Sequence, residues 1–126
     1  MYQQLTIVGR LGRDPEMRYL QNGTPVCSFS VATDRRWTDA DQQQHESTVW
    51  FKVSTWRRLA ETCNEYLSKG RQVLVVGELR TPEPYQSRDG EWRASLDVTA
   101  RNVQFLDSKR DAVEAAVTGQ EESIPF

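Results

Sequence analysis

The chain has 126 residues, a length typical of one domain, and 37% of its side chains are hydrophobic while 27% are charged. This composition predicts a soluble globular protein, because no apolar run approaches the roughly 18–20 residues of a membrane-spanning helix. The net charge of −2 belongs to the C-terminal end: residues 1–106 hold 14 basic and 13 acidic side chains, whereas residues 107–126 hold 2 and 5. The N-terminus has no apolar signal core, so we expect an intracellular protein.

The first part of the chain predicts a series of strands. Apolar side chains alternate over Leu5–Gly12, where two glycines let a barrel strand coil. A short strand around Met17–Tyr19 precedes Asn22–Gly23, the strongest two-residue hairpin signal. Apolar and polar side chains then alternate over Cys27–Ala32, which indicates a half-buried strand that ends near Asp34.

The polar residues 38–47 predict a flexible hairpin loop, and the strand that follows, residues 48–56, has two different faces. One face is that of an ordinary core strand and carries Val49, Phe51, Val53 and Thr55. The other face has two large indoles around a lysine: Trp50, Lys52 and Trp56. Nucleobases stack on indoles and phosphates pair with lysine, so this face favours nucleic-acid binding. The alternative is a second apolar layer from which Lys52 extends to solvent.

The second half of the chain predicts one helix and two further strands. Apolar side chains recur at helical spacing from about Arg58 to Ser68, and Gly70 follows as a stop signal. The apolar run Val73–Val76 predicts a strand buried on both faces. A second long hairpin is expected around Asp89–Gly90, before a closing strand over Leu96–Phe105. Five coiled strands with one short helix and protruding hairpin loops are typical of a small all-β barrel of the OB type.

The sequence contains no recognisable catalytic set, so we expect neither enzymatic activity nor a cofactor or metal. Cys27 and Cys63 occupy apolar positions without neighbouring metal ligands, which predicts buried free thiols. The only histidine, His45, lies in a polar segment, which favours a solvated side chain. A nuclease, the enzymatic alternative, would need carboxylates that converge at strand ends, whereas the carboxylates here are scattered.

Aromatic residues recur beside basic ones. Each of the four tryptophans has a basic residue within two positions, and Tyr85 lies between Arg80 and Arg88. One such pair is weak evidence, because arginine often packs on aromatic rings. Several pairs on the strand ends and hairpins of one barrel favour binding of single-stranded nucleic acid. A protein-interaction module, or an RNA-binding OB domain that uses the same aromatic face, is the alternative.

The order of motifs resembles that of bacterial-type single-stranded DNA-binding proteins. The match begins with Ile7–Tyr19, IVGRLGRDPEMRY, and covers about residues 3–106. It continues in order through Asn22–Gly23, Phe29–Thr33, Thr48–Val53, Leu59–Glu61, Tyr66–Gly70 and Val76–Thr81. The closing Ile124–Phe126, after two glutamates, resembles the acidic tip of the same family.

This resemblance implies a five-stranded OB-fold barrel over residues 1–106 that binds single-stranded DNA without sequence preference, commonly as a homotetramer. The implied role is protection of DNA during replication, recombination and repair, in the cytoplasm and at the nucleoid. The family's stacking aromatics fall on Trp37, Trp50, Trp56 and Tyr85. Its basic groove residues fall on Lys52, Arg58, Lys69 and Arg80, with Arg10 and Arg18 as further candidates. The chain departs from the family at two of these positions. Where this chain has Trp56, the family often has phenylalanine, and where it has Tyr85, the family often has tryptophan.

Residues 107–126 predict a short linker and a flexible acidic tail. Asp111–Val117 could form one or two helical turns, too few to be stable alone. The last residues combine charged and apolar side chains as a candidate partner-binding tip: Glu121, Glu122, Ile124, Pro125 and Phe126. The resemblance implies that replication and repair proteins bind this tip, although the linker is shorter than in many members. The alternative is a chain end without a role.

Overall fold

The computed structural model describes residues 1–106, which form eight strands and one helix. Four strands precede the helix: β1 (Leu5–Leu11), β2 (Glu16–Tyr19), β3 (Pro25–Thr38) and β4 (Gln44–Trp56). The helix and four more strands follow: α1 (Arg57–Tyr66), β5 (Gln72–Leu79), β6 (Pro84–Gln86), β7 (Trp92–Ala94) and β8 (Asp97–Phe105). In this part of the chain, no helix has the length and apolarity to cross a membrane. The expected linker and acidic tip lie outside the described residues.

Five of the strands close into a barrel in the order β1, β5, β8, β4, β3, and β3 then returns to β1. Two residue pairs, Arg10 with Ala32 and Leu11 with Val31, make this closing contact. Neighbouring strands are antiparallel except β4 and β8, which run parallel over Lys52–Ser54. β2 pairs with β3 outside the ring. The predicted five-stranded OB-type barrel with one helix is therefore confirmed.

Inward side chains of the barrel strands form one core, to which α1 adds Ala60 and Cys63. The buried hydroxyl of Thr55 donates a hydrogen bond to the carbonyl of Cys27 at 2.9 Å, so this polar group is satisfied inside the core. Both cysteines are buried free thiols, as predicted. Burial raises the pKa of the Cys63 thiol to about 12, and it also raises the pKa of Cys27. Neither thiol is therefore a nucleophile at neutral pH.

Glycine is required where two barrel strands approach closely. A Cβ added at Gly9 would lie 2.2 Å from the carbonyl oxygen of Ala32, and one added at Gly77 would lie 2.2 Å from that of Thr99. Gly9 stands beside the barrel closure, and the β5–β8 register shifts between Val76 and Gly77. The predicted coiling of β1 thus has a concrete cause in the absent side chain of Gly9.

The strand predicted to end near Asp34 instead continues to Thr38, and β4 begins at Gln44 instead of Thr48. The two strands keep one unbroken register to the pair Thr38–Gln44. Beyond the barrel they pair only with each other, and we call residues 33–49 the ribbon. Its polar cross-strand contacts replace a core: Thr48 donates to Asp34 at 2.8 Å, and Arg36 pairs with Glu46 at 3.2 Å.

Other departures from the predicted elements have similar local causes. Val49, predicted to be a core residue, is 40% exposed because it lies in the ribbon beyond the core. The β5 run predicted to be buried on both faces alternates instead, with Leu74 and Val76 half-buried on the outer face. The helix begins at Arg57 and ends at Tyr66, one and two residues earlier than expected.

β6 and β7 form a separate two-stranded sheet, which we call the arm (residues 84–94). Its turn has Gly90 at φ +86°, a left-handed conformation that glycine adopts without steric cost. Neither strand of the arm comes within 8 Å, between Cα atoms, of another strand or helix of the described chain. The second predicted hairpin therefore exists and stands away from the barrel.

Candidate nucleic-acid interface

The outer face of β4 presents the two tryptophans that the sequence placed together. Trp50 is 53% exposed and Trp56 is 38% exposed, and the exposed Lys52 lies between them on the same face. The opposite face carries Val53 and Thr55, both fully buried in the core. The alternative of a second apolar layer is therefore not what this chain forms, since both rings keep accessible surface.

Trp50 rests on the backbone of Gly12, at the end of β1. A Cβ added at Gly12 would lie 2.5 Å from Cζ3 and 2.6 Å from Cη2 of the Trp50 indole, so the ring occupies the space that a side chain would fill. The cross-strand partner of Trp50 is the small residue Ala32. One side of the indole is thus supported by small residues, and the ring retains an exposed surface.

Cross-strand register brings two of the candidate arginines onto this tryptophan face. Ala32 pairs with Arg10 on one side and with Trp50 on the other, and registered partners point to the same face. In the same way, Val26 lies between Arg18 and Trp56. Arg10 and Arg18 were uncertain candidates from the sequence, and the structure places both of them within two strands of an exposed indole.

The loop after α1 brings Lys69 to the same region. The Lys69 backbone N–H donates to Oδ1 of Asp14 at 2.8 Å, and the Gly70 N–H donates to the Leu11 carbonyl at 2.9 Å. Arg10 in turn donates from Nη1 to the Gly70 carbonyl at 2.9 Å. The exposed Lys69 therefore lies against the end of β1, close to the residue that supports Trp50.

Lys52 also borders a groove of about 260 Å³ that the sequence did not indicate. Arg13 and the hydroxyl residues Ser28 and Ser30 line it with Lys52, and Asp14 and Glu16 stand at its acidic side. Ser30 is the registered partner of Lys52 on β3. Arg13 is thus a further basic residue of this surface.

Trp37 lies on the other face of the ribbon. Its registered partner is His45, whereas the partner of Trp50 is Ala32, and odd and even positions of one unbroken register point to opposite faces. The rings of Trp37 and His45 stack with centroids 5.3 Å apart at 19°, and the Arg35 guanidinium lies 4.9 Å from the Trp37 centroid. The structure therefore does not gather all the predicted stacking residues on one surface.

His45 is held by the turn of the ribbon. Its Nε2 lies 2.7 Å from Oδ2 of Asp39, and this hydrogen bond, with that from the Gln43 N–H, holds the pKa of Asp39 below its usual value. The sequence predicted a solvated side chain for His45. In the structure, His45 instead contacts both Asp39 and Trp37 at the end of the ribbon. The polar sequence around His45 did not indicate its contact with Asp39, because that contact depends on the register between β3 and β4.

Tyr85 and Arg80 meet at a groove of about 960 Å³ between the barrel and the arm. Tyr85 is 50% exposed, and the Arg80 backbone N–H donates to the Asp97 carbonyl at 2.8 Å. Three carboxylates also line the groove: Glu78, Glu83 and Asp97. Aromatic and basic groups are therefore together here as predicted, but in a more acidic setting than on β4.

Arg58 is exposed in the first turn of α1, directly after Trp56 and Arg57. Arg57 itself has φ +60°, a left-handed conformation in which a non-glycine residue is uncommon. This sharp turn places two arginines at the end of β4. Among the described residues, no group of three or more histidine, cysteine or acidic side chains could hold a metal ion.

Comparison with known proteins gives a consistent set of relatives. The model of the single-strand binding protein family matches residues 2–106. A single-stranded DNA-binding protein of Neisseria meningitidis serogroup A is 40% identical over 108 residues, which are 86% of this chain and 62% of that protein. The protein of that name from Thermotoga maritima is 40% identical over 124 residues, 98% of this chain and 86% of its own length. The chain therefore spans less than two thirds of the Neisseria relative.

Solved structures with the same fold include a small single-stranded DNA-binding protein from Streptomyces coelicolor. It is 29% identical with a TM-score of 0.68, over 82% of this chain and 93% of that one. A Plasmodium falciparum SSB in complex with ssDNA is 24% identical with a TM-score of 0.72, over 85% of this chain and 97% of that one. The second likeness concerns the fold alone.

Proposed function

Since this chain belongs to the single-strand binding protein family, as the order of its motifs indicated, we propose that it binds and protects single-stranded DNA without sequence preference. The observation that carries the proposal is the outer face of β4, where two exposed indoles flank a lysine. The cellular setting would be replication, recombination and repair, in the cytoplasm and at the nucleoid. This function is one of binding and requires no catalytic step.

Base stacking supplies the sequence-independent part of the proposed binding. Every base has a π-face, so an indole accepts any of them, at about 1–3 kcal/mol per base as a general value for such proteins. Trp50 and Trp56 offer two such rings on one strand, and Tyr85 offers a third on the arm. Ordering a flexible DNA strand costs part of this gain, so the observed affinity is smaller than the sum of the stacks.

Basic side chains supply the electrostatic part. The phosphates would be met by basic side chains around the β4 face and the groove beside Lys52, and by one in the groove beside the arm. The first group is Arg10, Arg13, Arg18, Lys52, Arg58 and Lys69, and the second is Arg80. Each phosphate neutralised releases condensed cations, so the logarithm of the affinity should fall with the logarithm of salt concentration by about 0.7 per contact. A net-negative chain can do this because the acidic excess belongs to residues 107–126.

We also propose self-association, with a homotetramer as the expected assembly. Two observations support it. Within the described chain, no strand pairs with the outer edge of β1 over Leu5–Gly9, which leaves backbone groups open to a second copy. The outer face of β1 and β5 is partly apolar there, with Val8 46% exposed beside the half-buried Leu74. Sedimentation velocity without DNA tests this, and a monomer at micromolar concentration would contradict it.

The C-terminal tip is proposed to recruit replication and repair proteins. Its acidic residues would keep the peptide extended, and its terminal side chains would enter an apolar pocket of the partner: Glu121, Glu122, Ile124, Pro125 and Phe126. The test is binding of such proteins to the full chain and to a chain that lacks residues 121–126. Equal binding by both chains would remove this part of the proposal.

The principal experiment is titration of tryptophan emission with oligo-dT. Stacking should quench the emission strongly, with a salt-dependent midpoint, and duplex DNA of equal length should compete weakly. A protein-interaction module would leave the emission unchanged by either form of DNA. An RNA-binding domain would respond more strongly to oligo-U than to oligo-dT. Emission that is unchanged at saturating oligo-dT would contradict the proposed function.

A further inference from the structure

Trp92, on the arm, is the most exposed tryptophan of the chain. It is 70% exposed, compared with 53% for Trp50, 39% for Trp37 and 38% for Trp56. Among the described residues, no other ring or cation is recorded against its indole, whereas Trp37 is contacted by both His45 and Arg35. A large apolar ring left in water on a short hairpin gains nothing for folding. Its position therefore suggests an external binding partner.

The register of the arm determines which way Trp92 faces. Tyr85 pairs with Arg93, and Gln86 pairs with Trp92, so Tyr85 and Trp92 point to opposite faces of the two-stranded sheet. Tyr85 lines the groove between the arm and the barrel, and Trp92 is not among the residues that line it. The Trp92 indole is therefore on the side of the arm that faces away from the groove. Trp92 directly precedes Arg93, the cross-strand partner of Tyr85.

The turn of the arm is held independently of this indole. Arg93 donates from Nη2 to Asp89 at 3.0 Å and lies 3.5 Å from Glu91, and the Ser87 N–H donates to the Glu91 carbonyl at 2.8 Å. The arm carries two acidic and two basic side chains, so it has no net positive charge. The charge of the arm would not attract the phosphates of a nucleic acid. Such a ligand would therefore bind this face by stacking a base on the Trp92 indole.

We propose that Trp92 stacks on a base of single-stranded DNA that has passed around the arm from the Tyr85 groove. The inference rests on the proposed function and extends its binding site to a second face of the arm. Two aromatic rings on opposite faces of one narrow sheet would hold consecutive parts of the same strand. Because no basic group is added, this contact contributes equally at low and high salt.

The test is the affinity of three Trp92 variants and one control variant for labelled oligo-dT, measured by anisotropy at two salt concentrations. Trp92→Ala should bind about 5- to 150-fold more weakly, the factor expected for one stacked base. The salt slope should be unchanged. Trp92→Phe should recover most of the loss, while Trp92→Leu, which is apolar but not planar, should not. Gln86→Ala removes the cross-strand partner of Trp92 and a hydrogen bond from Gln86 to the Gly90 carbonyl at 3.0 Å, but keeps the ring. It is the matched control for disturbance of the same face and should weaken binding much less than Trp92→Ala.

A second measurement isolates the indole directly. In the variant W37F/W50F/W56F, Trp92 is the only tryptophan, and its emission should be quenched by oligo-dT. Unchanged emission in a variant that still shifts labelled DNA would overturn the inference and leave the proposed function intact. Equal affinity of Trp92→Ala and parent would overturn it as well. So would loss of affinity that accompanies dissociation of Trp92→Ala in sedimentation without DNA, because Trp92 would then be a contact between copies.

Discussion

Trp50 and Trp37 lie on neighbouring strands and both keep accessible surface, yet their surroundings differ. Trp50 rests on the backbone of Gly12 and points outward beside a lysine. Trp37 is on the opposite face of the ribbon, stacked on His45 and contacted by Arg35. Exposure alone therefore does not describe how well a ring can receive a base. A base can stack directly on the exposed face of Trp50, whereas a base that stacks on Trp37 must displace its contacts with His45 or Arg35 or bind beside them.

The largest expected effect is the difference between Trp50→Ala and Trp37→Ala in affinity for oligo-dT. Loss of the Trp50 ring should weaken binding about 5- to 150-fold, because a full base stack disappears. Loss of Trp37 should cost about 2- to 13-fold less than that, since a base gained there replaces an existing ring contact worth about 0.5–1.5 kcal/mol. Titration by anisotropy measures both, and a larger loss for Trp37→Ala would reverse the comparison.

Gly12→Ala tests whether the support under Trp50 matters. The added methyl group would lie 2.5 Å from the indole, so the ring must tilt away from its position. We expect affinity for oligo-dT to fall by about 3- to 10-fold, part of one base stack, with little change in the melting temperature. In the Trp50→Ala background the same glycine change should have no further effect, because the ring that it displaces is absent. Additive losses in the double variant would show that Gly12 acts by another route.

His45→Ala should have a smaller effect of the opposite sign. Removal of the imidazole frees one side of Trp37, but the Arg35 guanidinium still contacts the ring. Binding of oligo-dT should therefore tighten by less than the full worth of the ring contact, under about threefold. His45→Phe keeps a ring in place and serves as the control, with affinity close to that of the parent. Weaker binding by His45→Ala would mean that the imidazole itself contacts DNA.

The smallest expected effect is a local transition at acid pH. Hydrogen bonds from His45 and the Gln43 amide lower the pKa of Asp39 from 3.8, so the folded ribbon favours the carboxylate. The contribution of ionised Asp39 to the stability of the ribbon is fully present above pH 3.8. It is lost as the pH falls through the lower pKa that Asp39 has in the folded state. Emission of Trp37 in the variant W50F/W56F/W92F should change in that range, before circular dichroism of the barrel does. Asp39→Asn should abolish this change, and its persistence would assign it to another group.

Residues within one strand could be placed from the sequence, because alternation is a local property of the backbone. This is why the two faces of residues 50–56 were correct, with Val53 buried and Trp50 exposed, whereas Val49 lies beyond the core. The barrel followed from the same alternation, with turn signals at Asn22–Gly23 and Asp89–Gly90. The order of the motifs then identified the family.

What the sequence could not give was register between strands that are distant along the chain. The positions of Arg10 and Arg18 beside the indoles depend on pairing across β3, and the face of Trp37 depends on how far β3 continues. Residues 38–47 were predicted to be a loop, although Thr38 and residues 44–47 belong to strands, because this part of the ribbon buries no core and its side chains are almost all polar. Support of Trp50 by Gly12 joins strands that are separated by the whole of β2 and β3, so no local pattern could indicate it.

The barrel closes through only two residue pairs between β1 and β3, together with the hydrogen bond from the Gly12 N–H to the Ser30 carbonyl at 3.1 Å. This seam is the shortest stretch of pairing in the ring, and the Trp50 indole lies directly across it. A nucleobase stacked on that indole would cover the seam and stabilise the closed form of the barrel, so that β1 and β3 would separate less often. Occupancy of the ligand site and integrity of the barrel are then linked, so the amide proton of Gly12, which bridges the seam, should exchange with solvent more slowly once DNA is bound.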